Sequence, residues 1–138
     1  MTQPTYTAIR QAIADTLSSA IPGLRGTTNP LRPNLPCAIV VPVQGSFASY
    51  SQTMDGAVTY RADVIVAVSN ADGDSGFADL DSYISTTGAN SIWAAIQANQ
   101  SLGIGVSYAV VTEATGHALQ NFSGVDALAS HFIIEVGV

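Results

Sequence analysis

The chain has 138 residues, 47% of them apolar and only 10% charged, with a mean hydropathy of +0.30, which excludes a disordered chain and predicts one packed domain over 1–138. Its cations are four arginines, Arg10, Arg25, Arg32 and Arg61, set against ten acids, for a net charge of −6. So few cations release few phosphate counterions, so direct nucleic-acid binding is not expected, and the acidity also argues against attraction to anionic membranes.

From Thr5 to Ile21, the apolar residues Ile9, Ile13, Leu17 and Ile21 recur four apart, which predicts an amphipathic helix capped by Thr5 or Thr7 and stopped by Pro22-Gly23. The stretch from Pro22 to Pro36 carries four prolines and two glycines and is expected to be an irregular connection. Cys37–Val43 is apolar and β-branched, a buried strand whose Pro42 marks an end or an edge position. Gln44–Gly56 is polar, with Phe47, Tyr50 and Met54 scattered through it. A loop of that length in a small domain is expected to serve a function. Val58–Val68 alternates, with Val58, Tyr60, Ala62, Val64, Val66 and Val68 on one side and Thr59, Arg61 and Asp63 on the other, and is the clearest strand.

Asn70–Gly76 is an aspartate- and glycine-rich turn leading into a helix with a Phe77/Leu80/Ile84 stripe, broken at Gly88. Asn90 or Ser91 caps a shorter helix with Ile92, Ala95 and Ile96 on one side, and Trp93 beside them is expected in the core. Val106–Ala114 and Val125–Val136 carry two further period-2 patterns, Val106/Tyr108/Val110 and Leu128/Phe132/Ile134/Val136, with Gly116–Gly124 expected as the hairpin connection between them. The order helix, strand, strand, helix pair, strand, strand predicts an α+β fold, a mostly antiparallel sheet with helices packed on one face.

No apolar run approaches the about 20 residues that cross a bilayer. The N-terminus lacks the basic start and apolar stretch of a signal peptide, so export is not expected. Cys37 stands alone, which rules out an internal disulfide and fits a reducing compartment.

Several stretches resemble chemistry that their context does not support. Gly73-Asp-Ser-Gly76 matches the surroundings of a protease or esterase nucleophile, but His117 and His131 both lie downstream at the wrong spacing, and Asp74 or Ser75 serves better as a helix cap. Asn70, Asp72, Asp74 and Asp81 fall at positions of a calcium loop whose glycine is misplaced. His117, expected in the hairpin connection, and His131, sharing strand parity with Ala127, Ala129 and Ile133, have no histidine partner at metal-ligand spacing. Gly103-Ile-Gly105 is a turn and not a dinucleotide loop. No catalytic residue, metal or cofactor is expected.

A series of features along the chain is nevertheless specific in its order. It comprises Tyr6-Thr-Ala-Ile-Arg-Gln-Ala-Ile-Ala-Asp-Thr-Leu and the following Pro-Gly-Leu, Ala38-Ile-Val-Val-Pro42, Tyr60-Arg-Ala-Asp-Val-Ile-Val-Ala-Val-Ser69, Leu80-Asp-Ser-Tyr-Ile-Ser, Ser91-Ile-Trp-Ala-Ala-Ile-Gln-Ala and Phe132-Ile-Ile-Glu-Val. Over nearly its whole length the chain thus resembles the tail terminator proteins of long-tailed bacteriophages, in particular the small versions in phages of actinobacteria. The resemblance implies a non-enzymatic virion protein that forms a hexameric ring on the head-proximal end of the tail tube, stops its growth and joins tail to head. Its implied partners are further copies of itself, the tail tube protein and a head–tail connector or head-completion protein, with assembly in the host cytoplasm. Related connector and tail tube proteins share much of the architecture and form the alternative. On this reading Phe47, Tyr50 and Met54 are the expected contacts to neighbouring subunits or to the tube.

Overall fold

In the computed structural model, which describes residues 4–21, 24–28, 37–43, 45–50, 58–69, 73–122 and 125–138, the first helix α1 spans Tyr6–Ala20. Thr5 is its N-cap, the side-chain oxygen accepting from the Ala8 N–H at 3.2 Å, and extended geometry at Ile21 ends it. Eight elements follow: β1 (Arg25–Thr27), β2 (Cys37–Pro42), β3 (Ala48–Tyr50), β4 (Val58–Ser69), α2 (Gly73–Ile84), α3 (Ile92–Gln97), β5 (Tyr108–Phe122) and β6 (Val125–Gly137).

The strands form one sheet in the order β1-β2-β4-β6-β5, antiparallel throughout except for the parallel pair β1/β2. β3 pairs with β4 beyond the end of β2, so β2 and β3 are two halves of one antiparallel partner to β4. The Arg61 N–H spans the interruption, donating to the Phe47 carbonyl at 2.7 Å. This arrangement is the expected α+β class. Ala38 and Val40 of β2, Ala62, Val64, Val66 and Val68 of β4, and Leu128, Phe132, Ile134 and Val136 of β6 lie on one face of the sheet. They bury against Ile9, Ile13 and Leu17 of α1, Leu80 and Tyr83 of α2, and Ile92 and Ile96 of α3. Each such aliphatic side chain contributes about 1.5–3 kcal/mol on leaving water. The other face holds a smaller cluster, Cys37, Ile39, Ala67, Ala127 and Ala129, with Val41 and Ile65 packed beside it.

Five expectations need correction. The proline-rich connection contains β1, which exists because α1 lies directly on it. A Cβ at Gly26 would stand 2.0 Å from the Ala14 carbonyl oxygen, and the Gly26 N–H donates to Ser18 Oγ at 2.6 Å. The Gln44–Gly56 loop contains β3, whose three residues are too few to show a period. Helix α2 starts at Gly73, so Asp74 and Ser75 lie inside it and do not cap a helix beginning near Phe77. The Gly116–Gly124 connection is mostly strand. β5 runs to Phe122 and carries His117, its alternation broken by irregularities between Val111 and Glu113 and between Thr115 and Ala118, with Gly116 at φ 65°. Trp93 is 39% exposed on the outer side of α3 and is not core.

Candidate functional site

Two surfaces gather side chains with chemical or contact potential. The first is the sheet edge where β3 meets the start of α1. Tyr6 lies between two rings, 5.2 Å from Tyr60 in a stacked arrangement and 5.3 Å from Phe47 in a tilted one, while the Arg10 guanidinium sits 5.3 Å from the centre of the Tyr6 ring. The Tyr6 hydroxyl donates to the Arg61 carbonyl at 2.5 Å. Burial raises its pKa above the ordinary value of 10.0, opposed by the positive charge of Arg10 and by a backbone hydrogen bond at Val43. Of the expected contact residues, Phe47 is 44% exposed and leans on Tyr6, whereas Tyr50, the last residue of β3, is 74% exposed. Met54 lies outside the described residues. The structure therefore brings Phe47 and Tyr50 to one edge and gives them different surroundings.

The second surface is the face of the sheet away from the helices. Register sets Ile65 opposite His131 and Asp63 opposite Ile133, and the diagonal pair Asp63–His131 meets at 2.8 Å between Oδ2 and Nδ1. The pair is half-buried among Val41, Pro42, Val43, Ile65 and Ile133, which line a concavity of about 430 Å³ with it. The hydrogen bond that the Asp63 carboxylate accepts from the imidazole raises the His131 pKa above 6.5, outweighing the desolvation that lowers it, and the carboxylate charge adds to the rise. The other Asp63 oxygen, Oδ1, is buried without a hydrogen-bond partner among the described residues. Further along the same face, Arg61, Thr112, Glu113, Ile133 and Glu135 line a notch of about 270 Å³ at the β5 edge. Thr112 Oγ1 donates to the Ile133 carbonyl at 3.2 Å, serving the backbone where the β5 irregularity disturbs the ladder.

Sequence reasoning placed His131 on the correct strand parity but missed its pairing with Asp63. The signal was an aspartate and a histidine each on the polar-side parity of a strong strand, and only the β4/β6 register joins them. Of the nucleophile-like and calcium-like patterns, Asp74, Ser75 and Asp81 fall in α2 and His117 in β5, while Asn70 and Asp72 lie outside the described residues. Among the described residues no three or more His, Cys, Asp or Glu side chains gather to hold a metal ion, and no helix is long and apolar enough to cross a membrane. Cys37, the single cysteine, is buried.

An α+β protein built on one six-stranded sheet, with its helices on one face, is the class this arrangement defines. No family model matches the chain, and no curated protein matches it.

Proposed function

We propose that the chain is a structural virion protein, a tail terminator that assembles as a ring, with six copies the number the family resemblance implies, at the head-proximal end of a phage tail tube, where it stops polymerisation and joins tail to head. The ordered sequence resemblance motivates the reading, and one observation supports it most directly. Tyr50 closes a sheet edge with its ring 74% exposed beside the partly exposed Phe47, a pair of aromatic groups at the rim that offers contact area to a neighbour. A ring subunit needs such lateral surfaces, and an exposed aromatic on a strand end supplies area at little conformational cost. The acidic balance is compatible with DNA passing through the ring without adhering to it. Negative-stain electron microscopy of the purified protein tests this: closed rings with a central opening are expected, as is shortening of tubes when the protein is added to polymerising tail tube protein. Single subunits at every concentration, together with tubes of unchanged length, would refute it.

A further inference from the structure

The two end strands of the main sheet order, β1 and β5, differ in a way that bears on how copies meet. At one edge, β1 carries the exposed Arg25, which makes no ion pair among the described residues. One backbone donor of this edge is already in use, since Ser18 Oγ of α1 accepts from the Gly26 N–H, so α1 covers part of the β1 ladder. At the other edge, β5 pairs with β6 and, among the described residues, with no further strand, and its residues from Thr112 to Gly116 are exposed. There Glu113 and Glu135 flank the notch that holds Arg61, two carboxylates against one guanidinium, and the notch is net negative. Glu135 also accepts a long hydrogen bond, 3.4 Å, from the Tyr108 hydroxyl, which leaves Glu113 the more available acid.

Resting on the ring reading above, we infer that the β1 edge of one copy docks on the β5 edge of the next, with Arg25 entering the Glu113/Glu135 notch. Charge complementarity selects this occupant: a cation at one edge and a net negative notch at the opposite edge of the same sheet. Because the two surfaces are different, the contact is heterologous, the kind that generates rings when the rotation closes. Two-fold pairing of β5 with β5 is the competing arrangement. The two irregularities in β5 interrupt the ladder that such pairing needs, and Glu113 from both copies would enter a net negative interface. Arg25 lies level with Ala67 of β4, through Cys37, and Glu113 lies level with Asp63, through Ile133, so successive sheets meet staggered along the strands.

Sedimentation velocity on the full chain tests the contact with Arg25→Glu, Glu113→Arg and their equimolar mixture. Both substitutions are at exposed positions, and unchanged melting curves confirm folding. Wild type is expected to sediment as a ring, each variant alone as a 14.2 kDa monomer, and the mixture again as a ring, since alternating copies restore a Glu–Arg pair at every contact. Raising salt from 0.05 to 0.5 M should shift wild type toward monomer. A variant that sediments like an oligomeric wild type, or a mixture that stays monomeric, overturns the edge contact while leaving the ring reading in place. A wild type that is monomeric throughout refutes the ring reading, and the edge contact with it.

Discussion

Asp63 and His131 meet at 2.8 Å on the half-buried sheet face, and the carboxylate keeps the imidazole protonated to higher pH than in an unfolded chain. A raised folded-state pKa means that protonation favours the folded state. The contribution is complete below the unfolded value of about 6.5 and is lost as pH rises through the folded value. His131→Gln should therefore destabilise the protein most near pH 5.5, by at most about 1 kcal/mol for a pair still partly open to water, with the difference shrinking by pH 9. Urea midpoints at several pH values measure it, and a difference that stays constant would show that the charge of His131 contributes nothing. Gly26 makes a sharper case, because a Cβ there would lie 2.0 Å from a backbone oxygen of α1, an atom that no rotamer change can move. Gly26→Ala should cost about 3 kcal/mol and lower Tm by roughly 10 °C in thermal melts. Neither effect was legible in the sequence, since both depend on which elements touch.

The starts of α1 and α3 were legible because capping is local. Thr5 and Ser91 both accept from an N–H three residues on, as their types and positions predict. They should not be equal. Thr5 is exposed, whereas Ser91 is 1% exposed and also donates to the Ser85 carbonyl, so Ser91→Ala leaves a second group unpaired. Thr5→Ala is expected to cost about 1 kcal/mol and Ser91→Ala about 2 kcal/mol, ranked by chemical denaturation. β5 shows where local reasoning fails. Ala109 and Val111 face the core while Tyr108 and Val110 share the opposite parity, so the expected Tyr108/Val110 alternation is out of phase from the start of β5, and the two irregularities shift the parity again along the part expected to be a connection. β1 and β3, three residues each, hold their place through pairing with β2 and β4 and carry no signal of their own.

For the molecule as a whole, the proposed ring reading makes the aromatic edge the place where stability and assembly should separate. Phe47 is in ring contact with Tyr6, so Phe47→Ser should lower the monomer's Tm by several degrees. Tyr50 projects from the strand end, so Tyr50→Ser should leave Tm within about 2 °C while tails grow to irregular length or fail to join heads. Calorimetry paired with tail-length measurement by microscopy checks both, and a destabilised Tyr50→Ser monomer with normal tails would place this ring in its own subunit's packing. At the same scale, four arginines against ten acids predict no gel shift of duplex DNA at moderate salt, and a shift with steep salt dependence would contradict that.

By itself the sequence determined the α+β class, the long helix, the central strand and the candidate caps of α1 and α3, because amphipathic periodicity and capping chemistry act over a few neighbouring residues. Only the tertiary structure decided that Asp63 meets His131, that Phe47 is partly covered and Tyr50 is not, and that Arg25 and Glu113 stand at opposite edges of one sheet. Those facts follow from strand order and register, which arise from long-range pairing of backbone groups that every residue carries alike.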